Sequence, residues 1–105
     1  MEFIETPVFT KEVRDQLSAE EYRGLQLALV LRPEQGSVIP GSGGLRKVRW
    51  KAKGKGKRGG VRVIYYWITE EDKIYMLMLY GKSDQADLTQ AQSRILRKLV
   101  REELG

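Results

Sequence analysis

The sequence contains no cysteine and no histidine. Without cysteine, the chain has neither disulfide bonds nor a thiolate nucleophile. Without histidine, it lacks the commonest general acid–base of enzymes and the commonest metal ligand. No apolar run approaches the roughly 18 residues that a membrane helix needs, and the first residues, MEFIETPVF, do not resemble a signal peptide. We therefore expect a cytoplasmic protein that does not enter a membrane.

Acidic residues are missing from one segment of the chain. Nine of the 19 Lys and Arg residues, and none of the 14 acidic ones, lie between Arg46 and Arg62. The net charge of +5 therefore comes from one basic segment within a mildly acidic chain. Concentrated positive charge favours binding of a polyanion such as a nucleic acid. The alternative interpretation is a solvated loop whose charge serves only solubility.

Hydrophobic spacing and helix-capping residues predict an α+β order of elements in one domain over residues 1–105. Ser18 with Glu21, and Thr89 with Gln92, have the spacing of capping boxes at helix starts. Pro33 ends the helix that begins after Ser18, because residues before proline avoid the helical region. The predicted elements are a strand at Glu2–Thr6, a helix from about Thr10, a helix from Ser18 to Leu31, a loop at Pro33–Gly44, strands at Leu45–Ala52, Val61–Thr69 and Ile74–Tyr80, and a helix after Thr89.

This order predicts an N-terminal helical hairpin and a C-terminal helix packed on a small, mainly antiparallel curved sheet. Because side chains alternate across a sheet, each strand contributes to two faces. On the face opposite the hairpin, which we expect to be open, Arg62 is an exposed charge whose removal changes stability by less than about 0.5 kcal/mol. The face under the hairpin is predicted to hold Val48, Trp50, Val63, Tyr65 and Trp67, and the open face Lys47, Arg49, Arg62 and Tyr66.

Two glycine-containing motifs do not meet the requirements of nucleotide-binding loops. GKS at residues 81–83 follows a predicted strand, and the first glycine of a P-loop would fall on Met76. GSGG at residues 41–44 precedes a strand, so it lacks the helix N-terminus that gives glycine loops their affinity for phosphate. No pair of carboxylates or cluster of metal-ligating residues stands out. The sequence therefore predicts neither a metal nor an organic cofactor.

Three segments resemble the RelE/HigB superfamily of bacterial toxins, and the HigB branch in particular. They are SAEEYRGLQLAL, GLRKVRWKAKGKGKRGGVRVIYYW with the GSG that precedes it, and LYGKSDQADLTQAQ. The resemblance covers nearly the whole chain and implies the RelE fold. It also implies a toxin of a type II toxin–antitoxin system that cleaves mRNA in the ribosomal A site. In such toxins the mRNA 2′-hydroxyl attacks the adjacent phosphate, without a histidine pair and without a metal.

The resemblance also implies roles for individual residues. Arg62 in VRVIYY matches the strand arginine that stabilises charge on the phosphorane. Lys47 and Arg49 match two basic residues of the preceding strand, and Lys82 in YGKS matches a lysine after the last strand. Where RelE has a second arginine and a C-terminal tyrosine, this chain has Ser83 and Thr89, so Tyr80 and Lys82 are the candidates for proton transfer. The positions expected to contact RNA are Arg46, Lys51, Lys53, Lys55, Lys57, Arg58 and Tyr66.

Three other readings of the same residues stay open: an RNA-binding module without catalysis, a ParE-like toxin that poisons DNA gyrase, and a folded but inactive toxin. The partners implied by the resemblance are a HigA-like antitoxin with a helix-turn-helix, the ribosome with its RNA, and mRNA. Operator DNA is expected to bind only through the toxin–antitoxin complex. The glycines and lysines of KGKGKRGG, residues 53–60, suit an adaptable grip on ribosomal RNA phosphates.

Overall fold

The computed structural model describes residues 1–52 and 60–104. In that part of the chain no helix is long and apolar enough to cross a membrane. The elements are β1 (Glu2–Glu5), α1 (Pro7–Gln16), α2 (Ala19–Leu31), β2 (Ser37–Val38), β3 (Arg46–Trp50), β4 (Val61–Ile68), β5 (Lys73–Gly81) and α3 (Gln90–Leu99), which continues as a π-helical turn (Val100–Leu104). The predicted α+β class is confirmed.

Each of the three helices begins at a side-chain cap. Ser18 and Glu21 form the predicted capping box of α2, and Thr89 and Gln92 form that of α3. The start predicted for α1 near Thr10 is wrong by three residues. Thr6 accepts a hydrogen bond from the Phe9 amide, and Pro7 occupies the first helical position, where a missing N–H group has no consequence. Proline therefore opens α1 rather than only ending β1.

The five strands form one sheet in the order β1-β5-β4-β3-β2. Strand β1 runs parallel to β5, and all other neighbours are antiparallel. The edge strand β2 lies in the predicted loop, where Ser37 and Val38 pair with Lys47 and Arg46. Two residues are too few for alternation to reveal a strand, and this explains why the sequence did not predict it.

The helical hairpin covers the face of the sheet that the alternation predicts. Val63 and Tyr65 are fully buried there against Phe9, Leu25 and Leu29 of the two helices. Val48 belongs to the same core, and Trp50 and Trp67 pack at its margin while remaining half-buried. The predicted core of this face is therefore confirmed.

The opposite face is only partly open, because α3 packs on it. Leu96 and Val100 contact a second core that includes Leu45, Ile64 and Met78. A β-bulge enlarges this core: Ile64 pairs with Met78 and Tyr65 with Met76, so Leu77 between them has no partner across the sheet. Leu77 and Met78 then both belong to the α3 side. The expectation that the whole face is open is corrected accordingly.

Tyr65 connects the first core to the loop after α2. Its hydroxyl donates to the Pro33 carbonyl over 2.6 Å and accepts from the Gly36 amide over 2.9 Å. A Cβ atom at Gly36 would lie only 2.8 Å from the Tyr65 ring, so glycine is required at this close approach. The phenol thus positions the loop that carries β2.

Replacing Tyr65 with Phe should lower the free energy of unfolding by about 1–3 kcal/mol, because a buried amide and a partly buried carbonyl lose their partner. Tyr75→Phe is the matched control, since the Tyr75 hydroxyl forms no hydrogen bond with the described residues and should change stability by less than about 0.5 kcal/mol. Urea unfolding of both variants measures the difference. Equal effects would show that the Tyr65 hydroxyl does not anchor the loop.

Candidate nucleic-acid interface

Three predicted site residues form one row across three strands. Arg62 on β4 lies directly opposite Arg49 on β3, and directly opposite Tyr80 on β5. Neighbouring strands are about 4.8 Å apart, so the row spans roughly 10 Å. Lys47 lies two residues before Arg49 and therefore on the same face. The structure thus brings together four of the five residues predicted to be catalytic.

Arg62 is buried, with 6% of its surface exposed, which corrects the expectation of an exposed charge. Its strand is the central one of the sheet, so the neighbouring rows of β3 and β5 flank the side chain on both sides. Nη1 of Arg62 donates to the Val61 carbonyl over 3.4 Å. Neutralising Arg62 therefore changes stability by more than a surface substitution would.

Asp87 joins this cluster, although no sequence pattern singles it out. Its Oδ1 atom lies 3.4 Å from Nζ of Lys47 and accepts a hydrogen bond from the Tyr80 hydroxyl, also over 3.4 Å. The amide of Leu88 donates to the same oxygen over 2.8 Å. A carboxylate oxygen therefore occupies a position where a lysine, a phenol and an amide converge. Asp87 reaches Lys47 and Tyr80 because the loop between β5 and α3 folds back beside the row.

The pKa values of Tyr80 and Asp87 move in opposite directions. Burial raises the pKa of Tyr80 to about 12, with further contributions from the Asp87 charge and hydrogen bond, while Arg62 opposes them. The Leu88 amide lowers the pKa of Asp87, and Lys47 and Tyr80 lower it further against the effect of burial. Tyr80 is thus a neutral hydrogen-bond donor at pH 7. A pKa raised in this way disfavours Tyr80 as a base at pH 7.

Lys51 and Lys82 lie at the strand ends beside this row. Lys51 is exposed and directly follows β3, two residues after Arg49, so alternation assigns it to the same face as Lys47 and Arg49. Lys82 is exposed after β5, and its amide donates to the Gly60 carbonyl over 3.0 Å. That bond continues the ladder beyond the Val61–Gly81 pair, so Lys82 starts at the same end of the sheet as Arg62.

Arg46 and Tyr66 lie apart from this row. Nη1 of Arg46 donates to the carbonyl oxygens of Glu34 and Gly36, both over 2.9 Å, so this guanidinium holds the loop after α2. Tyr66 is half-buried against the α3 core, and a Cβ atom at Gly44 would lie 3.1 Å from its ring. Packing therefore limits the stacking role predicted for Tyr66.

Two sets of positions remain: those where this chain departs from RelE, and the basic residues between β3 and β4. Thr89, which counts to the position of the RelE tyrosine, caps α3 by accepting from the Gln92 amide over 3.1 Å. Ser83 is exposed after β5. The four basic residues of the predicted RNA-binding segment lie outside the described residues: Lys53, Lys55, Lys57 and Arg58.

Chemically, the row places two guanidinium groups, one ammonium group and one neutral phenol on a single face of the sheet, with Arg62 and Tyr80 buried among their neighbours. Guanidinium groups can hold two phosphate oxygens at once, and lysine adds a point charge. The neutral phenol adds a donor that does not repel an anion. This arrangement suits a phosphodiester whose negative charge increases during a reaction.

The fold with its helical hairpin, mixed sheet and basic central strands is that of RelE-type toxins. It resembles the isolated E. coli RelE toxin with a TM-score of 0.59 at 16% identity, over 93% of this chain and 97% of that one. A chain of the intact E. coli RelBE toxin–antitoxin complex matches with a TM-score of 0.59 at 15% identity, over 76% of this chain and 94% of that one. At such identities the likeness shows the fold alone.

The sequence itself shows the family. The profile of the RelE toxin of the RelE/RelB toxin–antitoxin system matches residues 9–104. The chain belongs to this RelE toxin family, as the resemblance predicted.

Asp87→Asn should lower the Tyr80 pKa from about 12, without restoring the ordinary tyrosine value, because burial is the larger cause and remains. Since the raised pKa favours the folded state, Tyr80 stabilises the protein below pH about 10, and this contribution is lost as the pH rises toward 12. NMR titration of the tyrosine Cζ signals, with Tyr80→Phe for assignment, measures the shift. Asp84→Asn is the control, and an equal shift there would contradict the contact.

Proposed function

We propose that this chain is a ribosome-dependent mRNA endonuclease, the toxin of a type II toxin–antitoxin system. The observation that carries the proposal is the row of Arg49, Arg62 and Tyr80 across β3, β4 and β5, with Lys47 beside it. Family membership supports a toxin, and the row supports a phosphodiester as its substrate. A gyrase poison or a passive RNA-binding module places no comparable demand on Arg62.

The proposed reaction is an internal transesterification of mRNA. The 2′-oxygen forms a bond to the adjacent phosphorus, and the bond from phosphorus to the 5′-oxygen breaks, leaving a 2′,3′-cyclic phosphate and a 5′-hydroxyl. The 2′-hydroxyl loses its proton and the leaving oxygen gains one. Arg62 and Arg49 stabilise the added charge on the phosphorane, and Lys47 and Lys82 position the phosphate.

Proton transfer in this proposal does not use Tyr80 as a base, because its pKa is raised to about 12. Tyr80 instead donates a hydrogen bond to the phosphate, replacing the one that it donates to Asp87. Ribosomal groups assist the removal of the 2′ proton, and Lys82 is the candidate on this chain. No metal or organic cofactor takes part in the proposed mechanism.

Family membership supports an antitoxin as a partner of this chain. The E. coli RelBE structure is a toxin–antitoxin complex. By analogy, a cognate antitoxin silences this chain. We place the chain in the HigB branch, with a HigA-like helix-turn-helix antitoxin through which operator DNA is bound. Residues 1–105 act as one toxin domain in the cytoplasm, where the chain meets the ribosomal A site and mRNA.

Arg62→Met should abolish the arrest of growth and translation that follows induction of this chain alone. Methionine keeps an apolar stem in the buried position but removes the guanidinium, at an expected loss of about 1–3 kcal/mol in stability. Arg23→Met, at an exposed position of α2, is the matched control and should remain toxic. Mapping of mRNA ends on purified ribosomes provides the direct measurement.

Arg62→Lys distinguishes charge from geometry, because it retains the positive charge and loses the fork that binds two oxygens. It should cleave more slowly than the unmodified chain and faster than Arg62→Met. Urea unfolding confirms that each variant is folded. A folded Arg62→Met protein that still cleaves mRNA on the ribosome would exclude Arg62 from the reaction.

Neutralising Lys53, Lys55, Lys57 and Arg58 together with Gln should weaken ribosome association more than cleavage of naked RNA. Each lost phosphate contact reduces the slope of log K against log salt by roughly one unit. Both assays are run over the same salt series. Equal losses would place these residues in the catalytic site, and unchanged ribosome binding would restore the solvated-loop interpretation.

A further inference from the structure

A second cationic surface lies on α3, outside the basic segment of the sequence. Arg94, Arg97, Lys98 and Arg101 follow one another at spacings of three, one and three residues, which places them on one side of the helix. All four are exposed, and with the turn at residues 41–43 they line a groove of about 840 Å³. None of these residues was predicted to bind a ligand.

Among the described residues, 1–52 and 60–104, none of these four cations forms a salt bridge, although Glu102 and Glu103 are close in sequence. Like charges three and four residues apart destabilise a helix by a few tenths of a kcal/mol per pair. The helix dipole favours cations in the last turn, which accounts for Arg97 and Lys98 but not for Arg94. An anionic ligand would offset the remaining repulsion.

The glycine turn forms the opposite wall of the groove. Gly41 and Gly43 have φ angles of 68° and 80°, which favour glycine, and a Cβ atom at Gly41 would have no atom within 4 Å. A Cβ atom at Gly43 would lie 3.3 Å from Val100, so this turn closely approaches α3. Ser42 is buried and accepts from the Leu45 amide over 3.0 Å, which holds the turn in place. The wall is therefore narrow, fixed and free of side chains at its rim.

The composition of the groove selects among anionic ligands. Among the described residues that line it, the only apolar one, Val100, is 4% exposed and belongs to the core, so a protein segment would find no pocket there for an aliphatic or aromatic anchor. The same described lining contains no aromatic, Asn or Gln side chain to read a base. Three arginines suit paired phosphate oxygens. A surface that contacts the phosphates of a nucleic acid but not its bases binds irrespective of the nucleotide sequence.

We propose that the groove between α3 and the turn at residues 41–43 binds the phosphodiester backbone of RNA, as a site separate from the row on β3, β4 and β5. The choice of RNA rests on the proposed function, and the affinity for phosphates rests on the groove itself. Leu96 of α3 and Val100 of the π-helical turn after it pack on the same face of the sheet that carries Arg62. The groove therefore lies beyond the helix that borders the catalytic row and holds RNA that the row does not cleave.

The test replaces Arg94, Arg97, Lys98 and Arg101 with Gln, in an Arg62→Met background so that the probe is not cleaved. Glutamine preserves helix propensity, and circular dichroism checks that α3 is retained. The control replaces Lys11, Arg14, Arg23 and Arg32 with Gln, which removes the same four charges from exposed positions outside the groove. The probe is a single-stranded RNA of mixed sequence, titrated over a salt series.

The groove variant should lower the slope of log K against log salt by about 3 units, since each contact to a single strand contributes about 0.7. The control should retain the slope. Equal losses in both variants, or none in the groove variant, would overturn the proposal. So would a groove variant that loses binding of polyglutamate but not of RNA, because the site would then bind an acidic peptide.

The outcome is separable from that of the proposed function. If the groove variant loses RNA binding while Arg62→Met still cleaves mRNA on the ribosome, the groove is supported and the catalytic row fails. If Arg62→Met loses cleavage and the groove variant binds RNA like its parent, the row is supported and the groove fails.

Discussion

The pairing of β4 along both of its edges is the constraint on which the rest of the molecule depends. β3 and β5 flank this strand, and the register places Arg49 and Tyr80 on either side of Arg62. The same strand supplies Val63 and Tyr65 to one core and Ile64 to the other. A slip of one residue would move Arg62 into the hydrophobic core under the helical hairpin. The hydrophobic pattern of β4 therefore also fixes the position of the charges.

The basic row opposes folding locally. Arg49 and Arg62 lie directly opposite each other on the neighbouring strands β3 and β4, and like charges in that position are destabilising. Asp87 relieves part of the positive potential through Lys47, at an exposed position where water weakens the pair. The two cores under and over the sheet provide the stability that such an arrangement requires.

The C-terminal helix lies next to two basic surfaces of different composition. Its apolar residue Leu96, together with Val100 of the π-helical turn that follows, completes the second core. Its outer side carries Arg94, Arg97 and Arg101 toward the glycine turn. One helix thus packs on the face of the sheet that carries the row and supplies the neighbouring groove. The row combines charge with a neutral donor, whereas the groove offers charge and bare backbone.

Local sequence determined the elements and the division of the sheet into faces. The capping boxes at Ser18 and Thr89 depend on contacts within three residues, and alternation placed Val63 and Arg62 on opposite faces because the period of a strand is two. Tertiary structure decided what those faces meet. The burial of Arg62, the bulge at Leu77 and the two-residue strand β2 depend on neighbours distant in the chain.

The same distinction separates the basic segment from the groove. The nine cations between Arg46 and Arg62 can be recognised from the sequence alone. In contrast, Asp87 and the four cations at the C-terminal helix can be assigned to a site only when their neighbours in the folded structure are known. The glycine turn at residues 41–44 has no helix after it in sequence, and folding places one against it, because Gly43 allows the close approach of Val100. Short-range patterns are set by bond geometry and side-chain period. Charge clusters are set by packing between segments far apart in the chain, which local sequence does not specify.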